Sequence, residues 1–410
     1  MTTSKPWYLA ALWPGCLLAA GAYGLTLLLP AWVRTAGGSQ AQAGLVYWYG
    51  AIGAACALVL GGRLAERTGP GWGAVAGCWL YAAGTGIIAT AARPGVGTYA
   101  GGALLGAGWA LFFTCAPLTA SQLPGAQQAS RRFQVLAGCN ALGMGAGPVA
   151  GQLLVDHGVS YRALFAAAAL LSLGAGALLG LLAATAPARP AQPRAGAAAR
   201  DIAGPARLVL SSSARPFLVM VLLGACVFTA MTTYQGALAA SMGLNPALFY
   251  GCYTAGVIIP RFTLSRALAR VSPGRATTAL LAGMCLALAG FLRAGHDPAI
   301  YAASSVALGI TYGLSYPLIQ AQAADSVPAG LRHWALWYFS LAYFAGLYGF
   351  PLLAGTLITR GGYHALITCL LAIAALELAA SARTRPLRLS RTRMRPGVLP
   401  ASRHDPDAVP

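Results

Sequence analysis

Gly62-Arg63-Leu64-Ala65-Glu66-Arg67-Thr68-Gly69-Pro70-Gly71 is a polar island between two apolar runs, 43–62 and 73–92. Each run has about the 20 residues needed to cross a hydrocarbon layer of roughly 30 Å. The island has an echo: Arg63, Arg67, Pro70 and Gly71 recur 203 residues later as Arg266, Arg270, Pro273 and Gly274. Gly143 and Pro148 return at the same offset as Gly346 and Pro351, and Tyr161, Ala163 and Leu164 return 202 residues on as Tyr363, Ala365 and Leu366. Three echoes in one order at nearly one spacing indicate a duplicated chain with parallel halves, a pattern known in membrane carriers.

Outward from the island, twelve apolar runs predict helices near 8–29, 43–62, 73–92, 98–120, 133–154, 162–184, 217–240, 247–265, 275–292, 299–322, 334–358 and 363–381. The expected fold is an all-α polytopic membrane protein of two pseudo-symmetric six-helix bundles with 12 transmembrane helices. Its divisions are an N-terminal bundle 1–184, a cytoplasmic linker 185–216, a C-terminal bundle 217–382 and a basic cytoplasmic tail 383–410 that is expected to be disordered. A short surface helix is predicted within the linker around Ala206–Leu210.

Composition agrees: 58% of the residues are hydrophobic and 9% charged, against about 25% charged in a soluble domain. The net charge of +19 does not mark a nucleic-acid binder, because the arginines sit between apolar runs and in the tail. With both termini inside, the cytoplasmic segments hold 21 Lys and Arg and the opposite side five, so the positive-inside rule places both termini in the cytoplasm. The localisation implied is the bacterial inner membrane, with the first helix retained rather than cleaved. The tail arginines suit anionic headgroups of the lipid bilayer; a transport-dead sensor or scaffold is the other reading of that tail. All nine cysteines fall within apolar runs without metal-ligand spacing. No metal, cofactor, nucleotide loop or Ser/His/Asp set is read, and an enzyme is not expected.

The island resembles the signature loop of the major facilitator superfamily, G-x-L-A-D-R-x-G-R-R, with Glu66 in place of the usual Asp and Pro70-Gly71 in place of the terminal basic pair. The resemblance implies the major facilitator fold, a single-chain carrier of small molecules. Gating or latch roles are expected for Gly62, Glu66, Arg67 and Gly69 and, in the second half, for Arg261, Arg266, Arg270 and Asp325. The fifth run carries Gly143-Met144-Gly145-Ala146-Gly147-Pro148-Val149-Ala150-Gly151-Gln152, similar to G-x-x-x-G-P-x-x-G-G of proton-coupled exporters in that superfamily. Gly143, Gly147, Pro148 and Gly151 therefore form a packing motif, with Gln152 departing from the final Gly. Ordinary close packing explains the same glycines. Asp325-Ser326-Val327-Pro328 with Arg332 resembles the loop after the tenth helix.

In that fold the first, second, fourth, fifth, seventh, eighth, tenth and eleventh helices would line a central cavity. The candidate substrate contacts are then Tyr23, Trp109, Asn140, Thr232, Tyr234, Gln235, Tyr253, Tyr312, Tyr316, Gln320, Trp337 and Tyr343. Amides in lipid demand partners or water, whereas tyrosines and tryptophans also form interfacial belts. Arg261 either reaches the cytoplasmic interface or anchors an anionic group or Asp325 across the cavity mouth. None of the eight acidic residues falls near the middle of a cavity helix, and Glu377, on the twelfth helix, is expected to snorkel to the cytoplasmic face. The functional expectation is alternating-access transport of a small organic molecule, export favoured. Nutrient uptake or facilitated diffusion is the alternative.

Overall fold

The computed structural model describes residues 7–123, 129–185, 203–264, 268 and 270–384. Helices account for nearly all of them: α1 Trp7–Thr26, α2 Leu29–Thr35, α3 Gln40–Thr68, α4 Pro70–Thr90, α5 Val96–Gln122, α6 Ala129–Asp156 and α7 Tyr161–Thr185. After them come α8 Ala203–Leu210, α9 Arg215–Thr233, α10 Gln235–Ser241, α11 Pro246–Thr263, α12 Pro273–Ala294, α13 Pro298–Asp325 and α14 Arg332–Ala382. The short α8 coincides with the helix expected in the linker.

Proline at the first or second position starts α2, α4, α9, α11, α12 and α13, where its missing N–H has no intrahelical partner to lose. Asn245 and Asp297 cap α11 and α13 by accepting backbone N–H groups.

Four boundaries differ from the sequence reading, one of them in the seventh run, which breaks at Tyr234 between α9 and α10. The polar island is not an extended loop: α3 continues to Thr68 and α4 begins at Pro70. The chain reverses at Gly69 alone, whose φ of 88° only glycine adopts readily. The eleventh and twelfth runs likewise meet without a loop, as two arms of α14 joined at Gly362, φ 73°. The first run breaks after Thr26 and resumes as α2. Pro30 lacks the N–H that would bond the carbonyl of Thr26, and the Tyr47 hydroxyl on α3 donates to that carbonyl instead, at 3.1 Å.

Among the described residues, nine helical stretches are long and apolar enough to cross a membrane. The last is the 51-residue α14, far longer than one crossing needs. Two expected spans, α6 and α11, fall outside these nine. Both carry many small and polar residues, and they pack on one another, so protein rather than lipid is what they meet there.

α1 packs on α6 and α7, α4 on α5 and α7, and α3 on α5. A second set mirrors the first: α9 packs on α14, and α13 on α11 and α12. The two sets join through α3 with α14, α6 with α11, and α2 with α10. On the α3–α14 seam Tyr47 stacks on Tyr348 with centroids 6.5 Å apart, and a Cβ at Gly44 would lie 2.7 Å from Leu352 Cα. The Tyr234 hydroxyl donates to Pro351 O at 2.7 Å, and Arg34 Nη1 to the Tyr363 hydroxyl at 3.5 Å. These contacts gather toward the end of the bundle that carries Arg34.

Candidate functional site

The duplication read from the sequence reappears as paired contacts, with partners close to 203 residues apart. A Cβ at Gly53 would fall on the carbonyl of Ala103, and one at Gly256 on that of Val306. Gly106 meets Gly50 O, and Gly309 meets Tyr253 O. Tyr47 donates to Thr26 O, and Tyr250 donates to Thr232 O at 2.7 Å, where α9 gives way to α10. Tyr250 is thus the repeat partner of Tyr47. Their offset of 203 was legible in the sequence, but neither residue is among the candidate substrate contacts.

Two further repeat partners meet in the interior. Tyr23 of α1 stacks on Trp109 of α5 with centroids 4.2 Å apart, and Phe228 of α9 stacks on Tyr312 of α13 at 4.9 Å. Phe113, one turn beyond Trp109, stacks on Tyr343 of α14 at 5.8 Å. Tyr343 meets Tyr316 edge-on at 5.3 Å, and Tyr316 lies 6.4 Å from Tyr312. A continuous aromatic run therefore links the two helix sets, its pairs stacked or edge-on except for the tilted Trp109–Phe113 and Tyr312–Tyr316 links. The sequence reading selected five of its members (Tyr23, Trp109, Tyr312, Tyr316 and Tyr343) and missed Phe113 and Phe228, which carry no polar atom to flag them.

Trp109 of this run, and other residues on α6, α9 and α14, carry polar atoms that lack partners. Trp109 Nε1, Asn140 Oδ1, Thr233 Oγ1 and the Tyr348 hydroxyl are buried without a hydrogen bond. An unmade hydrogen bond of this kind costs about 1–3 kcal/mol.

Other candidates serve the helix interfaces. Gln235 is 1% exposed, and its Oε1 accepts from the Tyr301 hydroxyl at 2.7 Å, tying α10 to α13. Thr232 bonds Phe228 O within its own helix, and Tyr234 bonds Pro351 O across to α14. Tyr253 stacks on Phe249 at 5.4 Å and is half-buried, as is Gln320 one turn beyond Tyr316. Trp337 packs edge-on against Tyr338 at 4.9 Å and stands in a separate cluster with Trp334.

Arg261 is half-buried, and its Nη2 donates to Gly313 O at 3.4 Å, while Nε has no partner. Gly313 is the residue four before Pro317, so its carbonyl is one that proline leaves unpaired. Thr229 does the same at 2.7 Å for Leu347 O, four residues before Pro351. Asp325 pairs with Arg332 at 3.5 Å on the exposed surface, not with Arg261. Gly143, Gly147 and Gly151 all face α1: Cβ atoms there would lie 2.7 to 2.8 Å from α1 or the Leu28 side chain just beyond it. Pro148 Cδ would lie 2.9 Å from a Cβ at Gly24.

Of the latch residues, Arg67 and Arg270 are exposed and Gly69 forms the α3–α4 turn. The backbone at Gly62 and Glu66 is helical, but the Glu66 side chain and Arg266 lie outside the described residues. Glu377 corrects the sequence reading. It does not reach the surface: it is 1% exposed, and a Cβ at Gly224 of α9 would sit 3.0 Å from its Oε1. A short side chain on the face of α14 turned toward α9 is walled in before it can snorkel.

The sequence profile of the Major Facilitator Superfamily matches residues 12–346, and the chain belongs to that family. A mutant form of the nucleoside transporter NupG superposes with a TM-score of 0.74 at 13% identity, covering 92% of this chain and 99% of that one. The POT family transporter PepTSo gives 0.73 at 13% identity, covering 93% and 97%. A mutant form of the Escherichia coli fucose:proton symporter FucP gives 0.62 at 19% identity, covering 93% and 100%. No curated protein sequence matches the chain. The solved structures share its fold, and the family is one of membrane transporters.

Proposed function

We propose that this chain is a secondary carrier of twelve transmembrane spans, in bundles 1–184 and 217–382 joined by the linker 185–216, that moves a small uncharged or zwitterionic organic molecule by alternating access. The observation that carries this reading is the aromatic run joining two repeat-related stacks, Tyr23 on Trp109 and Phe228 on Tyr312, across the seam between the helix sets. A planar or apolar ligand face would lie on those rings. The unpartnered atoms of Trp109, Asn140 and Tyr348 would bond its polar groups. No carboxylate lies in the aromatic run, which argues against a strongly cationic ligand.

The seam closed at the Arg34 end suits the state open toward the Arg67 end. The positive-inside distribution of Arg and Lys puts that end in the cytoplasm, with both termini, in a bacterial inner membrane. Export is favoured by the α6 glycine motif. Symport is the alternative, prompted by FucP, described as a fucose:proton symporter.

Cells expressing the chain, given radiolabelled amino acids, sugars and nucleosides, test the direction. Export predicts lower accumulation of the substrate than in cells with an empty vector, and W109A returns accumulation to the control. Accumulation above the control establishes uptake, and no difference across a broad panel counts against a carrier.

A further inference from the structure

Glu377 is the acidic side chain among the described residues that is buried from solvent, and the aromatic site makes no use of it. It projects from the second arm of α14 toward α9, where Gly224 leaves room for it: a Cβ there would lie 3.0 and 3.3 Å from the two carboxyl oxygens. Among the described residues no hydrogen bond or ion pair to Glu377 forms, and Oε2 is an orphaned buried atom.

The titratable groups close enough to feel its charge are themselves uncharged as ordinarily found: Cys226 of α9, Cys285 of α12 and Tyr312 of α13. Arg275 and Arg293 of α12, Arg207 of α8, and Asp325 and Arg332 beside α14 are all exposed. An anion enclosed with neither cation nor donor is among the least favourable arrangements a protein holds, whereas a neutral acid fits this niche.

Ser381 lies one helical turn beyond Glu377 on the same face, and its hydroxyl meets that of Thr278 on α12 at 3.1 Å. This hydroxyl pair stands between the carboxyl and the end of α14, which is about 7–8 Å farther along the axis from Glu377.

We infer that Glu377 is a proton-binding site between α9, α12 and the second arm of α14, loaded and emptied through the Thr278–Ser381 hydroxyl pair. The proton comes from water at that end. It is held on the carboxyl while α9, α12 and the second arm of α14 pack as here, and it returns to the same water when that packing loosens. Proton binding stands apart from the carrier reading; any link to substrate movement rests on it.

The chain contains two glutamates, Glu66 and Glu377, so carbon-13 glutamate labelling leaves two side-chain carboxyl signals for solid-state NMR of the protein in lipid vesicles. E377Q removes one and assigns it; if that variant misfolds, E66Q makes the assignment from the other side. The expected result is a neutral-acid signal for Glu377 at neutral pH that converts to carboxylate as the pH rises, with exchange slowed several-fold in S381A. A fully ionised Glu377 at neutral pH would overturn the site. So would an acid signal that never converts while the protein stays folded. Neither reading needs a substrate, so failure of the carrier proposal would leave this measurement intact.

Discussion

Replacing Gly147 by Ala adds one methyl group where α6 crosses α1. The new Cβ would lie 2.8 Å from Gly21 O, 2.8 Å from Gly24 Cα and 2.9 Å from Gly24 C. Ordinary contact begins near 3.4 Å, so the shortfall is about 0.6 Å. All three obstructing atoms are backbone, so no side chain can swing aside, and α1 must shift away from α6. Forcing a methylene into a close-packed interior costs about 1–3 kcal/mol, and G147L, with three more carbons, exceeds that unless the helices separate. Gly138, two and a half turns earlier on α6, is the control: nothing lies within 4 Å of its added Cβ. There Ala is expected to be neutral or stabilising by up to about 1 kcal/mol, as helix propensity favours it. Thermal unfolding of purified protein in one detergent measures both. G147A should melt lower and G138A should not, while G147L should remain folded enough to purify yet fail to transport. Equal melting of G147A and wild type, or full transport by G147L, would refute close packing at this crossing.

Three further outcomes follow from the same contacts. Single cysteines at Thr68 and Ser272, in a background without the nine native cysteines, should react with impermeant reagents only from the cytoplasmic side; outside labelling of either would break the two-half topology. Y234F removes the hydroxyl that donates to Pro351 O at 2.7 Å, and it should lower stability by about 0.5–1.5 kcal/mol; an unchanged unfolding midpoint would show that this bond does not hold the Arg34-end seam. D325N breaks a 3.5 Å ion pair whose side chains are 55% and 64% exposed, so its effect on stability should stay below about 1 kcal/mol; a larger loss would place Asp325 in a network not evident from its contacts.

The apolar runs and the Arg67/Arg270 echo made the helix content and the duplication readable, because lipid imposes length and composition on each span. What escaped was local. Gly69 ends α3 by backbone conformation, which a propensity for polar loops does not reveal. Thr26 and Leu347 lose helix partners to prolines four residues later, and the hydroxyls that replace those partners come from distant helices. The aromatic site was half legible: residues with polar atoms attracted notice, whereas Phe113 and Phe228 became visible only as ring partners. Glu377 was misjudged because sequence position gives depth along a helix but not the face it presents. Gly224, 153 residues away, is what encloses it.

The central claim is that the two helix sets rock about the aromatic run. Pulsed electron-spin distance measurements test it with two label pairs in lipid nanodiscs, Arg34 with Gly361 at one end and Arg67 with Ser272 at the other. The account predicts two populations at each pair, with conditions that lengthen one distance shortening the other. The short population at the Arg34 end would correspond to the seam seen here. A single unchanging distance at both ends across pH, or both pairs lengthening together, would contradict alternating access.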